Sequence, residues 1–180
     1  MTTVKTILSV WIGNLGDYNA GILRGDWYDL DNYDIDELET AVNELTNDGR
    51  NDYFIADSMS DYGVKVGEYE SLESLYEKYE IVKDIIDEYD DNAADVIAAY
   101  AYTNNISDDL SNISSYEFYF YSDCYTMADV AFEYLDRTGG LDEMPEHLRN
   151  YFDYESYGRD MEIEGKFYYA GGGLYIEIVG

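Results

Sequence analysis

Carboxylates supply most of the chemistry open to this chain: 40 Asp and Glu stand against 10 Lys and Arg and one His in 180 residues, a formal net charge of -30 at pH 7. Paired carboxylates can act as general acid and base, but that work needs two of them set apart by spacing and by an apolar surround, and no pair is so marked. A calcium loop comes nearer. Counting from Asp29, acids fall at loop positions 1, 3, 6, 8 and 9. Asp34, however, takes the place that needs glycine and Thr40 the place that needs a bidentate glutamate, so the segment fails as an EF-hand. A transition-metal site needs several His or Cys, and His147 and Cys124 stand alone. Cys124 follows Asp123, whose charge raises a neighbouring thiol's pKa and favours a structural role. His147 has no Ser or Cys partner for a triad. Gly171, Gly172 and Gly173 precede a strand pattern instead of a helix and read as a turn, not a phosphate cradle. The expectation is no catalytic residue, no metal and no cofactor.

The same charge excludes a protein that grips a nucleic-acid backbone, which needs the opposite sign. Disorder is excluded by 22 Tyr, 6 Phe and 2 Trp within 46% apolar residues, enough for a sizeable core. A single cysteine cannot form an intramolecular disulfide, which points to a reducing cytosol. The early apolar run at residues 7–12 is broken by Ser9 and lacks the features of a signal peptide, and no stretch reaches the roughly 20 apolar residues of a membrane span. No contact with membrane or nucleic acid is expected. Residues 1–61 carry a net charge of -10, residues 62–104 of -8 and residues 105–180 of -12, so the acid is spread along folded elements and not gathered in a tail.

The elements that must carry these charges can be read from periodicity. A strand at residues 7–15, a loop at 16–21 and a returning strand at 22–28 precede a helix capped by Asp34, with Ile35, Leu38, Val42 and Leu45 on one face. That helix should break at residues 47–51. A short apolar segment at 53–56 and a connector at 57–67 follow. The clearest helix starts after Ser71 as N-cap, with Leu72, Leu75, Tyr79, Val82, Ile86 and Tyr89 inward. Opposite them Glu73, Glu77, Glu80, Asp84 and Asp87 fall within about 40° of one line, a stripe about 21 Å long. An alanine-rich helix at 92–102 would pack on it. A strand at 116–121, a helix at 126–137 ended by Gly139 and Gly140, a short helix after Pro145, a tyrosine-dense segment to Asp160 and a closing hairpin at 162–170 and 174–179 complete the chain. The fold class expected is α+β in three small modules, 1–61, 62–104 and 105–180.

The stripe spaces carboxylates by about 5 Å along the helix, against roughly 3.4 Å per phosphate on one DNA strand. The acidic face is expected to comprise Asp31, Asp34, Asp36 and Glu37 around the first long helix, the five stripe residues, Asp91, Asp109, and Asp129, Glu133 and Asp136 on the later helix. Such a coat fits a protein that imitates DNA and enters the basic groove of a DNA-binding enzyme. Halophilic solubility, cation binding and an acidic scaffold for a basic protein are the competing accounts. Most tyrosines should serve core and sheet packing, while Tyr151, Tyr154 and Tyr157 could form a self-association surface.

Specific segments resemble the ArdA-type antirestriction proteins of conjugative elements and phages. Residues 10–21, VWIGNLGDYNAG, are similar to that family's amino-terminal strand and its Asn-Leu-Gly, Tyr-Asn and Gly signature, and residues 121–131, YSDCYTMADVA, to the segment before its long carboxy-terminal helix. Residues 141–162, LDEMPEHLRNYFDYESYGRDME, resemble its antirestriction motif and include Pro145, Leu148, Tyr151, Tyr154, Tyr157 and Arg159. The resemblance implies an elongated three-module homodimer that is not an enzyme, acts in the cytoplasm of a bacterial host, copies bent B-form DNA and blocks type I restriction-modification enzymes. It implies that the motif takes part in dimerisation. The alternative is an acidic partner or chaperone of another basic DNA-binding protein or defence system.

Overall fold

The protein is described by a computed structural model covering residues 5–46, 49–104 and 109–180. It is α+β and falls into two compact units: the first holds residues to Ile97 together with a short return ending at Ser111, the second residues 98–104 and 112–180. The boundary lies inside one helix. The finer division at residues 61 and 104 stays a proposal, based on the all-helical pattern between them.

The first unit is built on a three-stranded antiparallel sheet, β1 (Ser9–Asn14), β2 (Gly25–Asp29) and β3 (Tyr53–Met59), in the order β2-β1-β3. Period-two alternation gives β1 two unlike faces. Val10 and Ile12 are fully buried on the inner one beside Leu8, Tyr28, Leu30 and Ile55. On the outer face, one row across the sheet is Trp27, Trp11 and Asp57, and the next is Gly25, Gly13 and Phe54. The loop expected at 16–21 is instead the short helix α1 (Leu15–Asn19), because Asn14 accepts from the Asp17 amide at 2.9 Å as its N-cap. Asn14 is fully buried and its amide also donates to the Leu45 carbonyl at 2.9 Å. That one side chain ties α1 to the end of α2 (Ile35–Leu45). Asp34 and Glu37 close a reciprocal capping box on α2, and Leu38 and Val42 are its buried residues. The expected helix break at 47–51 falls partly outside the described residues. The segment expected to be a connector from residue 57 still belongs to β3 as far as Met59, since β1 offers it a ladder.

The helix α3 (Leu72–Tyr89) is capped by Ser71 as expected and buries Leu72, Leu75, Tyr79, Val82 and Ile85. Ile85 replaces Ile86 as the innermost residue of its last turns. Asp90, with a φ of 48°, ends α3, and α4 (Ala93–Asn104) follows. Among the described residues no helix is long and apolar enough to cross a membrane.

The second unit pairs β4 (Glu117–Tyr121), β5 (Phe167–Gly171) and β6 (Leu174–Val179) antiparallel in the order β4-β6-β5. Its core joins Tyr121, Cys124 and Val130 to Met127, Tyr134, Met161, Phe167 and Tyr175. Three helices follow β4: α5 (Met127–Arg137), α6 (Glu146–Arg149) and α7 (Tyr154–Glu164). The tyrosine-dense segment is thus mostly helical, and residues 162–164, expected to open the hairpin, belong to α7. Asp153 caps that helix by accepting from the Ser156 amide at 2.9 Å, and the Gly165 amide closes its last turn on the Met161 carbonyl at 2.8 Å.

Candidate functional site

In the first unit, every acid expected on the acidic face is exposed: Asp31, Asp34, Asp36, Glu37, Glu73, Glu77, Glu80, Asp84, Asp87, Asp91 and Asp109. The α3 stripe stands because the opposite face of that helix is apolar and buried. Neither of its two lysines forms an ion pair with a stripe residue. Lys78 pairs with Glu70 at 2.6 Å and donates to the Lys65 carbonyl at 2.9 Å, while the Lys83 ammonium lies 5.7 Å from the centre of the Tyr79 ring. Among the described residues the ion pairs are Arg24 with Asp17, Lys78 with Glu70, Arg149 with Asp142 and Arg159 with Asp160, and none uses a stripe residue.

Several expected surface acids also hold the fold. Asp34 and Glu37 are committed to the α2 capping box, and Asp31 accepts from the Tyr79 hydroxyl at 3.1 Å. Burial first, and then this bond to a carboxylate, pushes the Tyr79 phenol up to about 12. A shallow depression beside α2 is lined by Asp34, Asp36, Glu37 and also Glu44, and a second lies among Glu39, Asp52 and Glu73. Sequence periodicity missed Glu39, Glu44 and Asp52. Asp52 in particular comes beside α3 only through sheet pairing of the segment that follows it. Among the described residues no group of three His, Cys, Asp or Glu side chains is placed to hold a metal ion.

In the second unit Asp129, Glu133 and Asp136 are exposed along α5. Asp129 differs from the other two. Its carboxylate accepts from the Thr126 hydroxyl at 2.9 Å and from the Tyr125 and Thr126 amides at 3.0 and 2.9 Å. Desolvation opposes its ionisation, but these bonds outweigh it and hold the group below the usual aspartate value. Cys124 is buried, and its thiol is pushed up by burial and then by Asp129 and Glu133, with neighbouring Asp123 the smaller influence. His147 is exposed on α6.

The residues of the 141–162 segment separate into two sets. Tyr154 is half-buried, its ring 5.5 Å from Phe132 and 4.9 Å from Phe152, and its hydroxyl donates to the Arg149 carbonyl at 3.2 Å. Tyr157 is also half-buried, 5.6 Å from Phe152. By contrast Leu148 is 45% and Tyr151 86% exposed, and Pro145 and Arg159 are exposed too. Gly158 is buried where α7 crosses the start of α5, and a Cβ there would overlap the Met127 carbonyl. Helix α5 and this segment therefore form one packed layer. The family model of the antirestriction protein ArdA matches residues 10–176. The chain belongs to the ArdA antirestriction family. No curated protein matches it. The family match runs from β1 through the cap residue Asn14 and the α5–α7 layer into β6, so both compact units belong to the ArdA match.

Proposed function

We propose that this ArdA family member blocks type I restriction-modification enzymes by imitating B-form DNA, and that it does so as a non-catalytic homodimer in the cytoplasm of the host. The observation that carries this reading is the α3 stripe: Glu73, Glu77, Glu80, Asp84 and Asp87 are exposed along one line, and the lysines of the same helix are engaged elsewhere. A basic groove evolved for phosphates meets there a row of fixed negative charges at a spacing of about 5 Å. With a net charge of -30, long-range attraction would speed encounter and fade as salt screens it. Leu148 and Tyr151 are the exposed part of the dimerisation surface in this reading, with Tyr154 and Tyr157 supporting them from behind.

The test is competition. Fluorescent duplex DNA bound to a purified type I modification enzyme should be displaced near equal stoichiometry, and less well at moderate than at low salt. Asp84→Lys should weaken displacement by less than about threefold because the charge is distributed, whereas reversing all five stripe acids should abolish it. Undiminished displacement by the fivefold variant would sink the stripe's role.

A further inference from the structure

The exposed positions of this chain are dominated by carboxylate, yet the outer face of the first unit's sheet is an aromatic island. Trp27 is 41% exposed on the edge strand β2, and its cross-strand partner Trp11 is half-buried beside it. Gly25 and Gly13 make the surface: a Cβ at either position would overlap the Trp11 indole, which therefore lies down across both strands. Phe54 supports that indole edge-on, with ring centres 6.1 Å apart. Asp57, exposed on β3, is the cross-strand partner of Trp11 on the other side from Trp27.

Indoles attract cations over their faces more strongly than other rings, and a planar guanidinium also stacks on them. The chain shows this chemistry internally: Arg137 lies 4.4 Å from the centre of the Tyr121 ring, and Lys5, Lys83 and Lys166 lie over Tyr62, Tyr79 and Tyr116. Among the described residues none of its cations lies over Trp11 or Trp27. The nearby Arg24 is directed to Asp17 and to the Glu44 carbonyl. We propose that this face is a docking site for an arginine of the partner protein, the guanidinium stacked on the Trp11 and Trp27 indoles and its charge met by the Asp57 carboxylate. The site deepens the function proposed above, which supplies a partner with a basic groove, and it adds a contact that salt screens less than it screens the acidic stripe.

The two tryptophans are the only ones in the chain, so emission excited at about 295 nm, where the 22 tyrosines barely absorb, reports this face. The full-length protein is titrated with the capped peptide Gly-Arg-Gly-Arg-Gly and its lysine counterpart at low and moderate salt. The arginine peptide should change the emission saturably and bind at least about threefold tighter than the lysine peptide. Trp27→Ala should lose that preference, read from Trp11, while Trp27→Phe should keep part of it. Circular dichroism verifies that both variants fold. Unchanged emission up to millimolar peptide, or a response that Trp27→Ala leaves intact, overturns the proposal. Emission that varies with protein concentration alone, in step with self-association by sedimentation, assigns the face to a second copy and overturns it too. No restriction enzyme enters this test, so its failure leaves the displacement result standing, and the reverse.

Discussion

At the scale of single residues, acids in this protein do two kinds of work, and their surroundings decide which. Glu70 is an example of the structural kind. It accepts from the Gly67 amide at 2.9 Å and the Ser74 hydroxyl at 2.7 Å and pairs with Lys78 at 2.6 Å, its side chain only 12% exposed. Desolvation works against its ionisation, but Lys78, Gly67 and Ser74 together hold its pKa below the ordinary 4.5. A carboxylate whose pKa folding lowers stabilises fully above its unfolded value and loses that contribution as pH falls through the folded one. Glu70→Gln should therefore lower stability by about 1 kcal/mol at neutral pH. Urea midpoints of the two proteins should converge as pH drops below 4.5; a gap that persists in acid would assign the loss to packing instead. Glu77 and Asp84, by contrast, have no ion pair among the described residues and are free to face a partner.

At the scale of elements, the tightest constraint is the crossing of α7 over the first turn of α5. Only a glycine at 158 allows the Met127 carbonyl so close. Gly158→Ala should cost about 2 kcal/mol or more, despite alanine's higher helix propensity, because two helices must separate to admit one methyl. Thermal unfolding of the variant measures this, and an unchanged or raised midpoint would show that the α5–α7 layer yields easily. The same layer explains why the aromatic residues of the segment differ in role. Tyr154 and Tyr157 pack against Phe132 and Phe152, so substituting them damages the layer before it tests any interface. Tyr151 stands outside that packing. If the proposed homodimer forms through this surface, Tyr151→Asp should weaken self-association at least about tenfold with the unfolding midpoint nearly unchanged, because exposed aromatic residues are favoured interface anchors. Sedimentation equilibrium reads it, and an intact dimer would remove this residue from the surface.

At the scale of the whole molecule, a net charge of -30 in 20.7 kDa is a standing cost to compactness. Added salt should raise the thermal midpoint, steeply at first and then levelling once the Debye length falls below about 10 Å, at the same concentrations where the proposed displacement of DNA is expected to weaken. A midpoint indifferent to salt would mean that self-repulsion is already relieved by the spacing of the charges. Opposite salt responses of stability and binding would trace both to one surface.

The sequence by itself settled the charge, the α+β class, the Asp34 and Ser71 caps and the two faces of α3, because these depend on residue type and on periods of two or 3.6. Family membership was legible in the same way, in contiguous segments such as residues 10–21 and 141–162. The tertiary structure decided what depends on distant partners. Asn14 became a helix cap because Leu45 came within reach of its amide, residues 57–59 became strand because β1 lay alongside, and residues 162–164 became the last turn of α7, closed by the Gly165 amide on the Met161 carbonyl. Asp129 looked like one surface acid among many until its amide partners closed around it. The indole face had no local sign at all. Trp11 and Trp27 are 16 residues apart, and only the antiparallel register, with glycine at two crossing positions, sets them side by side.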